Sequence, residues 1–155
     1  MKKLLFAVLC LGMSLAASAQ AYNNSIGIRG GLVNGLNYKT FISSGTALEF
    51  VLDPAAGGFE FSAIYEKQQN GALGTTALDW YYGAGAAIGF YNGPRYGEPL
   101  DGDDAIGFAA VGLVGLEFPL KEIPVVFSGD IGPAINLTPY GYFYFNAGLS
   151  IRYYW

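Results

Sequence analysis

From Trp80 to the end of the chain, apolar side chains recur at alternate positions. Trp80, Tyr82, Ala84, Ala86, Ile88 and Phe90 share one parity, and Tyr81, Gly83, Gly85, Ala87, Gly89 and Tyr91 share the other. Successive strand residues point to opposite faces, so this segment carries one continuous apolar face and one face of glycine and mostly small residues. Ile106, Phe108, Ala110, Val114, Leu116 and Phe118 repeat the pattern against Gly107, Ala109, Gly115 and Glu117. Val125, Phe127, Ile131, Ile135 and Leu137 then oppose Ser128, Asp130, Gly132 and Asn136. Phe143, Phe145, Leu149, Ile151, Tyr153 and Trp155 oppose Tyr144, Asn146, Ser150 and Arg152.

The first half alternates less cleanly and predicts strands over 25 to 33, 36 to 42, 46 to 53 and 57 to 68. Asn34-Gly35 is a tight-turn signal between the first two. A two-residue loop there would send Lys39 to the opposite face from Arg29, whereas a three-residue loop keeps both on one face and is preferred. A single long strand from 26 to 42 is the alternative; it gives seven strands, and even numbers dominate single-chain bacterial barrels. Pro133, on the apolar parity inside a strand, is expected to mark a bulge.

A soluble sandwich also alternates, but its outward face is polar and its apolar face is packed inside. Here the charged residues sit on the glycine-rich faces, which points those faces into a narrow lumen and the apolar faces into lipid. Strands of about 9 to 11 residues suffice for a tilted barrel to cross hydrocarbon. Closure is then obligatory, because an open edge in lipid leaves backbone groups unpaired. The expected fold is all-β, a closed antiparallel eight-stranded transmembrane β-barrel with up-and-down meander topology.

The first twenty residues change the picture by supplying a route. Lys2 and Lys3 precede an apolar core from Leu4 to Ala16 and a small-residue exit at Ala17, Ser18 and Ala19, the pattern of a secretory signal peptide. The core is shorter than the roughly 20 residues a spanning helix needs. The chain is thus expected to divide into a signal peptide, 1–19, and an outer-membrane barrel domain, 20–155. Cys10, the only cysteine, lies within the signal and lacks the small residue before it that lipidation wants, so the exported part has no thiol for a disulfide, a metal or a nucleophile.

Composition agrees with this reading. The chain is 52% hydrophobic, 16% aromatic and only 13% charged, with 23 glycines and no histidine. Lys2 and Lys3 are two of its eight basic residues, so six remain after the signal against twelve acidic ones. That balance argues against nucleic acid, which needs basic patches. With both ends periplasmic, the long polar segment 92 to 104 falls outside, as such barrels prefer, while the linker 69 to 77 is long for the periplasmic side. Outward Tyr65, Trp80, Tyr82, Phe118, Tyr153 and Trp155 are placed toward the periplasm, and Phe59, Phe90, Phe108 and Phe143 toward the exterior. These are the two interfacial girdles expected of a membrane barrel.

By this pattern the chain resembles the eight-stranded OmpA/OmpX-like class of outer-membrane barrels over its whole exported length. Leu149, Ile151, Tyr153 and Trp155 stand on alternate positions of the last strand and resemble the C-terminal signal read by the barrel-assembly machinery. Ser150 stands where the fuller signal often has Gly, and Trp155 replaces the more usual Phe. The resemblance implies insertion among outer-membrane lipid and lipopolysaccharide of a Gram-negative bacterium, with periplasmic chaperones as partners in biogenesis, and a monomer. Barrel enzymes of this class resemble one another in using an active-site histidine, which this chain lacks; an enzyme is not expected.

Arg29, Lys39 and Arg152 project inward with Glu49, Glu60, Glu66, Glu117 and Asp130. Opposite charges in a dry, narrow space should pair, since an isolated buried charge costs several kcal/mol. That predicts a salt-bridge plug. Inward Gly27, Gly31, Gly83, Gly85, Gly89, Gly107, Gly115 and Gly148 leave volume, which inward Tyr81, Tyr91, Tyr142, Tyr144 and Tyr154 could occupy. An eight-stranded barrel is just wide enough to be filled by side chains or to hold one small ligand.

Glu98, Asp101, Asp103 and Asp104 gather around Gly102 and could offer oxygens to Ca²⁺. They lack the alternation and terminal Glu of an EF-hand loop and read as a solvated acidic loop, so no metal or cofactor is expected. Two functions follow from these features: a plugged structural or interaction scaffold of the envelope, or a barrel that passes or holds a small molecule, a hydrophobic one included, in its glycine-rich lumen.

Overall fold

The computed structural model describes residues 22–54, 58–71, 74–75, 77–92, 104–138 and 141–155. Eight strands follow in order: β1 (Asn24–Gly31), β2 (Gly35–Ser43), β3 (Thr46–Asp53), β4 (Gly58–Gln69), β5 (Asp79–Asn92), β6 (Asp104–Pro119), β7 (Val125–Thr138) and β8 (Tyr142–Tyr154). Each pairs antiparallel with the next, and β1 pairs with β8, so the sheet closes on itself. Closure removes the edges that an open sheet would leave unpaired. Asn24 N–H donates to Trp155 O at 3.0 Å, and Trp155 N–H donates to Asn24 O at 2.9 Å, so the seam is tied at the end where the described chain begins and finishes.

The first hairpin carries a three-residue connection, residues 32–34, and leaves Arg29 and Lys39 both inside. The single strand over 26 to 42 does not form. Asn34 Oδ1 accepts the Gly31 N–H at 2.8 Å, and Gly35 has φ of 145°. A side chain on Gly35 would meet the Leu52 carbonyl oxygen on β3 at 1.9 Å, so the turn and the close strand approach both require glycine there. Gly45, at φ of 67°, turns β2 into β3.

Two irregularities interrupt the ladders. Phe41 pairs with Ala47 and Ser43 with Thr46, so Ile42 is an extra residue in β2. Phe108 pairs with Thr138 but Ala109 with Asn136, which makes Leu137 the extra residue in β7. There the Thr138 hydroxyl accepts the Phe108 N–H at 3.1 Å. The bulge expected at Pro133 is absent. The β6–β7 offset is the same at Val111–Ala134 and Val114–Ile131 on either side of it, and Pro133 pairs with Phe145 on β8. Its ring lies beside Gly112, which has no side chain to displace, so the strand passes without an inserted residue.

The wall has opposite chemistry on its two sides. Ile28, Leu36, Phe59, Ile106, Val114, Ile131, Phe145 and Leu149 are among the large apolar residues exposed outside, Leu149 at 74%. Ring pairs flank both rims: Phe59 with Phe90 at 5.0 Å toward one end, Trp80 with Tyr82 at 5.4 Å and Tyr153 with Trp155 at 6.2 Å toward the other. Aromatic residues are not confined to the rims, since Tyr38, Phe50 and Phe61 form a stacked row across β2, β3 and β4. Inside, Ile64, Ala87, Ala109, Val111, Leu113 and Ala134 pack with Tyr144 into a small apolar core, and charged and amide groups fill much of the remaining interior.

Candidate functional site in the barrel interior

The inward parity of each strand delivers its polar side chains to the interior. Asn37 and Lys39 come from β2, Glu49 from β3, Glu66 and Gln68 from β4, Glu117 from β6, Asp130 from β7, and Arg29 and Arg152 from β1 and β8. Glu117 lies at the centre of one group. Its carboxylate accepts from Arg152 Nη2 at 2.5 Å, Lys39 Nζ at 3.0 Å, Tyr22 Oη at 2.7 Å and Gln68 Nε2 at 3.1 Å. Charge-assisted hydrogen bonds are stronger than neutral ones, so this carboxylate is well compensated for its burial. Tyr22 precedes β1, and burial, with the Glu117 carboxylate beside it, pushes its phenol above the ordinary tyrosine range.

Arg29 and Asp130 form a second group. The guanidinium makes two parallel contacts of 2.6 Å to the carboxylate, and Tyr81 Oη donates to the same carboxylate at 3.0 Å. Glu49 accepts from the Asn37 amide and lies 3.8 Å from Arg152 Nη1. Lys39 Nζ donates to Gln68 Oε1 at 2.7 Å, stands 3.0 Å from Glu66 Oε2 and sits 4.4 Å from the centre of the Tyr81 ring. Glu60 stands apart toward the opposite end of the barrel, where it accepts from Tyr91 Oη at 2.6 Å.

Inward glycines make room for these large groups. A Cβ on Gly115 would lie 2.5 Å from the Tyr81 ring, and one on Gly148 would lie 2.5 Å from the Arg29 guanidinium carbon. Tyr91 occupies the space beside Gly89 and Gly107 in the same way. The volume left by glycine at these positions is therefore taken by a ring or guanidinium from elsewhere on the wall. Some polar atoms stay unsatisfied in the interior, among them the hydroxyls of Ser25, Ser128 and Ser150 and the Nε of Arg152.

Of the inward charges read from the sequence, Arg29, Lys39, Glu49, Glu66, Glu117, Asp130 and Arg152 converge in these two groups, and Glu60 does not. Asn37, Gln68, Asp79 and Tyr22 join them although no charge pattern in the sequence marks them. Asn37 and Gln68 stand two positions from Lys39 and Glu66 on the same parity, so the alternation already carried them. Asp79 opens β5 and accepts from Gln68 at 3.2 Å and from the Gly71 N–H at 3.0 Å. Tyr22 lies before the first strand, where no periodicity assigns a direction.

Leu149, Ile151, Tyr153 and Trp155 all face outward on or just beyond β8. Asp101 and Asp103 lie outside the described residues, as do the Asp104 side chain and residues 1–21. Among the described residues, no three His, Cys, Asp or Glu side chains are grouped to hold a metal ion. An open apolar groove on the outer wall, between Leu32, Trp80, Leu116 and Leu149, is floored by Gly30, Gly129 and Ala147 and brings no reactive group together. Comparison with protein-family models, curated proteins and solved structures returned no match for this chain.

Proposed function

We propose that this chain is an outer-membrane β-barrel of the OmpA/OmpX-like class, filled by its own side chains and acting as a structural or interaction scaffold of a Gram-negative envelope. The observation that carries the reading is the inversion of the wall: charges and amides are buried inside, and large apolar side chains such as Ile28, Ile131 and Leu149 are exposed outside. Monomeric soluble proteins rarely expose contiguous apolar patches beyond a few hundred Å². A closed barrel in which every strand pairs with both neighbours suits the backbone to hydrocarbon, and the outward apolar rows suit lipid.

The remaining features fit this reading. The leader at residues 1–19 would direct export, and Leu149, Ile151, Tyr153 and Trp155 would present the strand recognised by the assembly machinery, with periplasmic chaperones acting earlier. Lipid and lipopolysaccharide would cover the wall of a monomer. The rings and guanidinium over Gly89, Gly107, Gly115 and Gly148 favour a closed lumen over passage of a small molecule. No catalytic activity and no nucleic-acid binding are proposed.

Membrane fractionation with unheated and heated gels tests the assignment. The protein should be extracted from the outer-membrane fraction by detergent and should change mobility on heating. Recovery as a soluble periplasmic protein with one mobility would reject the proposal.

A further inference from the structure

The interior charges divide into a balanced pair and an unbalanced remainder. Arg29 and Asp130 neutralise each other through their two 2.6 Å contacts. Apart from Asp53, Glu60 and Asp79, buried near strand ends, Lys39 and Arg152 face Glu49, Glu66 and Glu117, two cations and three carboxyl groups, none more than 1% exposed. Glu117 receives the close contacts of both cations, at 2.5 Å from Arg152 and 3.0 Å from Lys39. The weaker share goes to the other two: Arg152 lies 3.8 Å from Glu49, and Lys39 approaches Glu66 at 3.0 Å without an aligned hydrogen bond.

Glu49 Oε2 and both carboxyl oxygens of Glu66 are buried and accept no hydrogen bond. Glu49 lies opposite Ile64, and Glu66 opposite Ala47, which makes the two acids diagonal neighbours on the inner face of β3 and β4. Diagonal positions on adjacent strands lie close enough for long side chains to meet, so the two carboxyl groups adjoin on the inner face. Two adjacent anions with no donor between them repel strongly where water is excluded, and like charges sharing one site do not both ionise. A single proton relieves this repulsion. The neutral carboxyl donates its O–H to an oxygen that otherwise has no partner, and these five groups become two cations against two anions.

We infer that Glu49 and Glu66 hold one proton between them, a carboxyl–carboxylate pair inside the barrel that carries one negative charge in place of two. The inference rests on the interior geometry alone and is independent of the membrane assignment. The neutral member donates one hydrogen bond inside the cluster, a role an amide can also fill. Glu66→Gln should therefore fold as well as the parent.

Infrared spectroscopy of the folded protein at neutral pH, with carboxyl-labelled glutamate, tests this directly. The carbonyl stretch of a neutral carboxyl group should be present in the parent. It should disappear from both Glu49→Gln and Glu66→Gln and persist in Glu60→Gln. Absence of that band from the folded parent would overturn the inference, and the parent spectrum decides this even if a variant fails to fold. Persistence of the band in a folded Glu49→Gln or Glu66→Gln barrel would overturn it as well.

Discussion

Arg29 and Asp130, 101 positions apart in sequence, meet inside the barrel through two parallel 2.6 Å contacts, with Gly148 leaving the space in which the guanidinium lies. The pair joins β1 to β7 across the intervening β8. Both side chains are at most 3% exposed, so solvent screens their attraction little.

Removing one partner leaves the other buried and uncompensated. Asp130→Ala should lower unfolding stability by about 3–5 kcal/mol, and replacing both residues by apolar ones of similar volume should recover most of that loss. Urea titration of the refolded protein, with a double-mutant cycle, checks both expectations.

Gly115 tests whether the interior is filled. A Cβ there meets the Tyr81 ring at 2.5 Å and the Gly129 carbonyl oxygen at 2.7 Å, and a backbone oxygen cannot swing aside. Gly115→Ala should destabilise the barrel by roughly 1–3 kcal/mol, the usual range for overpacking. Tyr81→Phe should cost less, about 0.5–1.5 kcal/mol, because Asp130 keeps both Arg29 contacts when the phenol hydrogen bond is lost. Thermal or denaturant midpoints of the two variants should rank in that order.

The filled lumen also has an electrical consequence on the membrane reading. Parent protein in a planar bilayer should give no discrete conductance steps. Arg152→Ser, which removes the group bridging Glu117 and Asn37, should give small, reproducible ones. Steps from the parent would favour the transport reading.

Much of this architecture could be read from alternation. In β5 to β8 the outward rows are nearly unbroken, from Trp80 to Phe90 and from Ile106 to Phe118, and period two alone locates these strands. Arg29 and Lys39 also settled the first turn, since only an odd loop keeps both inside. The bulges at Ile42 and Leu137 were not legible, because an extra residue leaves the local composition unchanged. Pro133 misled for a related reason. Its missing N–H suggests an interruption, but its effect depends on Gly112 beside it on another strand. Parity could assign Arg29, Lys39 and Arg152 to the interior, but not their partners. Which carboxylate each one meets depends on the stagger of the closed sheet, which brings Asp130 to Arg29 and Glu117 to Arg152.

The most direct test of the central claim is the stability cost of arginine at Ile131, near the middle of β7 and 53% exposed on the outer wall. If that wall faces hydrocarbon, Ile131→Arg should destabilise the protein folded in lipid vesicles by about 2–4 kcal/mol, the range for a charge at the bilayer midplane. A change within about 0.5 kcal/mol, as expected for an ordinary water-exposed position, would contradict the account.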